Sequence, residues 1–247
     1  MLQSALSPAT TEPMKAASNF PNQFQRQSLT LVNELVDITS SVFYLVAPEM
    51  RHRGVVLNNL NADVEKEYQK KFKHLDPLNP AKFKNTDDRV VTIDAQIPFA
   101  KLRQTIYYQD FMLPHDHRYV ADMFFRFQGE IIAVLSMLRH ESLGSFTGDE
   151  LTLLCKVQPF LEYTLNTVYL PKRVTERQSI KEKYALTARE LDVLELIIAG
   201  ASNKLIASEL GLGLATVKTH LLHIFQKTGV SSRTELLSRI VINLATT

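Results

Sequence analysis

In the last quarter of the chain, apolar and polar residues recur with the period of an α-helix. Leu191, Val193, Leu194, Ile197 and Ile198 lie on one face of such a helix. Thr187 and Glu190 have capping-box spacing, which predicts a start at Ala188, and Gly200 supplies the left-handed stop. Ser202 is placed to cap a second helix with Ile206, Ala207 and Leu210 inward, and Gly211 permits a sharp turn after it. A third helix should begin near Leu214. At about 100° per residue, Val217, Leu221, Ile224, Phe225 and Thr228 form one arc, with Lys218, Thr219, Leu222, His223 and Gln226 across from it. Ser232 and Glu235 open a last helix whose apolar side holds Leu236, Leu237, Ile240, Val241 and Leu244. Short helices joined by tight turns, one of them with an apolar and a polar face, form the pattern of a helix-turn-helix DNA reader. A small helical bundle that binds another protein is the alternative.

The pattern upstream is mixed. Asn22 to Thr39 predicts an amphipathic helix, and Val42 to Ala47 and Gly54 to Leu57 predict strands. Ala62 to His74 predicts a helix with a lysine-rich face, Arg89 to Asp94 a strand, and Phe99 to Tyr108 another helix. Tyr119 to Phe127 and Ile131 to Arg139 flank Gln128-Gly129-Glu130 as a hairpin. Thr147 and Glu150 predict the capped start of a long helix with Leu151, Leu154, Val157, Phe160 and Leu161 inward. Antiparallel strands with helices mainly on one face give an α+β sensor-type domain, joined to an all-α four-helix domain.

The C-terminal residues resemble the LuxR-type, or GerE-type, DNA-binding domain. The family pattern L-T-x-R-E, G-x-S-N-K-x-I-A, T-V-K-x-H and G-V-x-x-R-T-E is matched by residues 186–190, 200–207, 216–220 and 229–235. The resemblance implies a third helix in the major groove and a fourth that often makes a dimer contact. It implies groove contacts for Lys218 and Thr219, and backbone-positioning roles for Lys204, Thr216 and His220. Leu222, His223 and Gln226 complete the DNA-facing arc. Leu205 stands where an acidic residue is common, and Gly213 where serine usually caps the third helix. Leu222 replaces a frequent polar or basic residue; it can touch a thymine methyl but cannot read guanine by paired hydrogen bonds.

Composition and charge set the outer limits. The chain has 247 residues, 45% of them apolar, which is enough for two packed domains. Residues 1–170 carry 17 Lys/Arg against 19 Asp/Glu (net −2), and residues 171–247 carry 11 against 7 (net +4), so the basic balance falls where phosphate contacts are expected. Cys155 is the single cysteine, so there is no intramolecular disulfide. Residues 1–19 read as a disordered leader, 20–170 as the sensor and dimerisation domain, 171–183 as a linker, and 184–247 as the DNA-binding domain. With no apolar run of membrane-spanning length, a cytoplasmic location is expected.

Residues 20–170 lack the acidic pair and βα alternation of a phosphorylated receiver. They resemble the GAF- or PAS-like sensor halves found ahead of LuxR-type domains, on the strength of Tyr68-x3-Phe72-x3-Asp76-Pro77, Tyr108-x2-Phe111-x2-Pro114, Arg139 and Phe146. Asp76-Pro77 also resembles the aspartate-proline pair of acyl-homoserine-lactone receptors, whose aspartate accepts the ligand amide hydrogen; this makes quorum sensing one reading. Those receptors line the lactone site with tryptophan, and this chain has no Trp. Tyr68, Phe72, Asp76, Tyr108 and Phe111 are the candidate ligand contacts. The plainer reading of Asp76 is a cap on a helix starting at Pro77. His115-Asp116-His117 has metal-ligand spacing, but no further ligand stands nearby, and a solvated loop is the preferred reading. No nucleophile-base pair or phosphate loop marks an enzyme, and no cofactor is expected. The expected partners are double-stranded DNA, a second copy of the chain, a small-molecule inducer and RNA polymerase. The competing expectation is a ligand-independent regulator whose N-terminal half mediates only dimerisation or protein contact.

Overall fold

The computed structural model describes residues 23–47, 51–198 and 200–245; the leader expected at 1–19 lies outside them. In chain order the N-terminal half comprises α1 (Gln23–Leu35), β1 (Ser40–Ala47), β2 (Arg51–Asn58), α2 (Ala62–Glu67), β3 (Val90–Thr92), α3 (Ile93–Gln96), α4 (Phe99–Leu102), β4 (Tyr119–Phe127), β5 (Glu130–Arg139) and α5 (Gly148–Thr164). The strands form a five-stranded sheet in the order β2-β1-β5-β4-β3, and every neighbouring pair is antiparallel. This is the α+β arrangement expected.

The central hairpin closes through Gln128 and Gly129, both at positive φ (51° and 86°), so β5 starts one residue earlier than expected. A two-residue turn of that hand matches the twist of the flanking strands. The strand expected over Arg89 to Asp94 is shorter. After Thr92 the chain turns into α3, with Ile93 buried and Asp94 ion-paired to Arg118 at 3.0 Å. The helix predicted over Phe99 to Tyr108 is split: α4 ends at Leu102, and a π turn covers Tyr108–Met112.

Both faces of the sheet are covered, which corrects the expectation of helices mainly on one. Phe43, Met123, Phe125, Leu135 and Met137 pack beneath α1 and α5. Val42, Tyr44, Phe124, Val134 and Leu138 face α2, the short helices and the π turns. Strand β4 is buried along most of its length because both sets of alternating side chains meet a covering layer.

Thr147 and Glu150 form the capping box that starts α5. Phe160, expected inward, is 67% exposed. The buried arc is Leu154, Gln158, Leu161 and Leu165, and Phe160 lies two residues, about 200°, around the helix from Gln158. Arg139, 2% exposed, clamps this end of the fold: it donates to Asp37 O at 2.5 Å, Ser145 O at 3.2 Å and both Glu150 oxygens, and it stacks over Phe146.

α5 continues through a π turn (Leu165–Tyr169) into α6 (Leu170–Tyr184), so residues 171–183, read as a linker, are helical. Pro171, which has no N–H to donate, lies just after the π turn in this continuous helix. α6 then belongs to the C-terminal half: Ile180 is buried in its core, and Arg177 pairs with Asp192 at 2.8 Å and with Glu195. The rest is α7 (Ala188–Ile198), α8 (Asn203–Leu210), α9 (Leu214–Thr228) and α10 (Arg233–Ala245).

Candidate nucleic-acid interface and sensor pocket

α9 is fixed by its apolar arc. Val217, Leu221, Ile224 and Thr228 are buried, and Phe225 packs against the same core. On the other arc Lys218, Thr219, Leu222, His223 and Gln226 are exposed, as are Thr216 and, on α8, Lys204; His220 is half-buried. Leu222 is 55% exposed, an apolar contact point amid polar neighbours. α8 is capped by Ser202, whose Oγ accepts from Leu205 N at 3.3 Å. Leu205 packs against the core, which accounts for an apolar residue at that position. α9 starts at Gly213, which gives no side-chain cap.

Several basic side chains of this half are held by its own structure. Arg189 donates to Leu210 O at 2.5 Å, Arg233 to Ala201 O at 2.7 Å, and Lys227 to Glu190 at 2.7 Å. These bonds orient the helix ends and leave Lys204 and Lys218 on the outer surface. His223 is partly drawn inward, with Nδ1 at 3.7 Å from the Glu190 carboxylate.

In the N-terminal half, a pocket partly open to solvent lies between the sheet and α2. The sheet contributes Val42, Tyr44, His52, Val120, Asp122, Ser136 and Leu138, and α2 with the following turns contributes Val64, Glu65, Tyr68 and Asp76. Tyr107, Phe111 and His117 line the remaining side. Asp76 is buried and its oxygens are occupied: Tyr68 Oη donates to Oδ2 at 2.7 Å, Leu78 N donates to Oδ1 at 2.7 Å, and Tyr107 also bonds to the carboxyl. Burial raises the Asp76 carboxyl above its ordinary value, against the opposing pull of these donors. Asp122 is 3% exposed, and its Oδ1 has no hydrogen-bond partner. Burial, reinforced by Asp76, pushes its carboxyl well up, with Ser136 pulling the other way. His52 is stacked on Tyr44, with ring centroids 3.5 Å apart. Burial lowers the His52 ring, and it lowers His117 to about 4, leaving both neutral near pH 7.

Residues 184–240 match the family described as "Bacterial regulatory proteins, luxR family". The "Monoamine regulon transcriptional regulator" of Klebsiella aerogenes is 34% identical over 211 residues, covering 85% of this chain and 87% of that protein. The chain belongs to the LuxR family. It is a DNA-binding transcriptional regulator, not an enzyme. LiaR of Bacillus subtilis is 35% identical over 101 residues, 41% of this chain and 48% of that protein. Among solved structures, Escherichia coli SdiA is similar at a TM-score of 0.40 and 18% identity, covering 92% of this chain and 90% of that one.

In this LuxR-family regulator the candidate ligand residues separate. Tyr68, Asp76 and Phe111 line the pocket. Phe72 lies behind it, stacked on Phe111 at 5.1 Å. Tyr108 does not line it but packs edge-on against Phe99; Tyr107 is the lining tyrosine because it shares a helical face with Phe111 four residues on. Asp76 does not cap a helix at Pro77: its Oδ1 closes a local turn to Leu78, and the next helical turn, Pro80–Phe83, is capped by Asn79. His115 sits 3.4 Å from Glu67 while His117 turns into the pocket, and among the described residues no side-chain group is arranged to hold a metal. Tyr44, His52 and Asp122 line the pocket without having been expected there, and His117 lines it in place of the metal role its spacing raised. Asp122 carried a signal, as a lone carboxylate inside the apolar strand Tyr119–Phe127.

Proposed function

We propose that this regulator binds double-stranded DNA through α9 as a homodimer in the cytoplasm, under the control of a small molecule held in the N-terminal pocket. Residues 184–247 form the DNA-binding unit in this reading, and 20–170 form the sensor. The observation that carries it is the pocket itself, where apolar and aromatic walls surround a few fixed polar atoms, the usual make-up of a small-molecule site. Dimerisation is supported by Phe160, Tyr163, Val168 and Val174, large apolar side chains exposed along the continuous helix α5–α6. Lys204, Thr216, Lys218, Thr219 and His220, with Leu222, His223 and Gln226, would meet the DNA, and RNA polymerase is the partner through which a bound activator acts. The Klebsiella relative is named for a monoamine regulon, and target genes of the same kind are the corresponding reading here.

The test combines a thermal-shift screen of the full chain with footprinting on its own upstream region. A ligand at 100 times its Kd stabilises by about 2.7 kcal/mol. Protection of an inverted repeat that changes with ligand supports the proposal. DNA binding and transcription indifferent to every compound would favour a sensor half that mediates only dimerisation or protein contact.

A further inference from the structure

We propose that the pocket takes a small primary ammonium ion on an aromatic body, and that the Asp122 carboxylate receives it. This rests on the small-molecule reading above and narrows it to a chemical class.

Buried polar atoms in folded proteins almost always have partners, so the exceptions call for a cause. Three unpartnered atoms belong to deeply buried side chains lining this one pocket: Asp122 Oδ1, His52 Nε2 and His117 Nδ1. The other buried carboxyl, Asp76, is already supplied by Tyr68, Leu78 and Tyr107, so its oxygens serve the fold. Asp122 is paired across the sheet with Ser136 in β5 and with Val91 in β3, and the sheet fixes the direction of its side chain.

Charge narrows the class further. Carboxyls from Glu65, Asp76 and Asp122 line the pocket, and no Lys or Arg does. An anionic head would meet no counter-charge, whereas an ammonium supplies one and brings three donors and no acceptor. Buried imidazoles held neutral, as His52 and His117 are, can accept a hydrogen bond without competing as cations. The walls are the rings of Tyr44, Tyr68, Tyr107 and Phe111. Such rings hold a cation over their faces and stack on an aromatic body.

The test is isothermal titration of the full chain with 2-phenylethylamine, its uncharged counterpart 2-phenylethanol, the anion 3-phenylpropionate, and hexylamine as a non-aromatic amine. The expected order places 2-phenylethylamine first, with 2-phenylethanol about 10- to 100-fold weaker, hexylamine weaker than 2-phenylethylamine, and the anion not bound. Asp122→Asn is expected to weaken the amine by a similar factor and to leave 2-phenylethanol unchanged, with far-UV circular dichroism confirming the fold. Selectivity among the four compounds on the unaltered protein tests the class even if that variant misfolds. Equal affinity for amine and alcohol, or full amine affinity in Asp122→Asn, overturns the proposal. If the amines fail while an uncharged N-octanoyl homoserine lactone binds, the amine class falls and small-molecule control stands. If the lactone and all four compounds fail, both fall.

Discussion

Lys227 donates to the Glu190 carboxylate across 2.7 Å, fastening the last turn of α9 to the first turn of α7. Glu190 is almost fully buried and also accepts from Thr187 N at 2.8 Å, closing the capping box that starts α7. Burial pushes its carboxyl up, but Lys227 and Thr187 outweigh that and hold it below its ordinary value. Glu190→Gln should therefore destabilise the C-terminal half by about 1–3 kcal/mol, read by urea denaturation. The lowered value fixes the sign with pH. The stabilisation is present above the unfolded-state pKa, near 4.3, and is lost as pH falls through the lower folded value. A variant whose deficit is as large at pH 3 as at pH 7 would contradict this.

Lys218 stands outside the apolar arc of α9. Lys218→Ala should weaken operator binding by about 1–3 kcal/mol if the side chain reads a base, with the melting temperature nearly unchanged. Gel-shift titration at fixed salt decides it. Unchanged affinity removes Lys218 from the interface.

Gly213 opens α9 with extended backbone and no side-chain cap. A Cβ built there meets only Thr216 Oγ1, at 3.6 Å, so serine fits without displacement. Gly213→Ser should raise stability by a few tenths of a kcal/mol, roughly the difference between these residues at an N-cap. A fall in thermal midpoint would mean that the added hydroxyl is strained.

The two pocket aspartates should respond oppositely to substitution. Asp76→Ala leaves Tyr68 Oη and Leu78 N without their acceptor, which should cost about 2–4 kcal/mol. Asp122→Asn removes a carboxyl whose neutral form burial favours until a cation pairs with it. A raised folded value means that the stability of Asp122 is complete at low pH and declines as pH rises towards that value. The variant should therefore gain stability relative to the parent between pH 4 and pH 7. Melting curves across that range would show no such trend if Asp122 were ionised in the fold.

Tyr163 is exposed on α5 beside Phe160. If that face meets a second copy, Tyr163→Asp should shift sedimentation from dimer to monomer and weaken binding to an inverted repeat while the monomer stays folded. A parent protein that is monomeric at micromolar concentration would remove the premise. On α10, the helix for which the family resemblance implies a dimer contact, Ile240 is buried in the domain's own core, Leu237 packs against that core, and the side chains of Val241 and Leu244 lie outside the described residues.

The C-terminal half was almost wholly legible from sequence, because its information is local. Capping residues lie within three positions of what they cap, and an apolar arc repeats within one helix. Thr187 with Glu190, Ser202, and the arc Val217-Leu221-Ile224-Thr228 all stand in the structure as the spacing predicts. Even there, the cap at α10 differs: Glu235 accepts from Ser231, while Ser232 Oγ accepts from Glu235 N.

The pocket was only half legible, because its walls come from segments far apart in the chain. Tyr68 and Asp76 share a local motif and could be found together. Their company with Tyr107, His117 and Asp122 depends on how α2 lies over the sheet, and so does the choice of Tyr107 over Tyr108. By itself the sequence determined the alternation of β4, and with it which side chains share a face. Only the tertiary structure decided that the face carrying Asp122 is covered rather than wet. That covering turns an ordinary strand aspartate into a buried carboxyl with an oxygen that no group of the fold supplies.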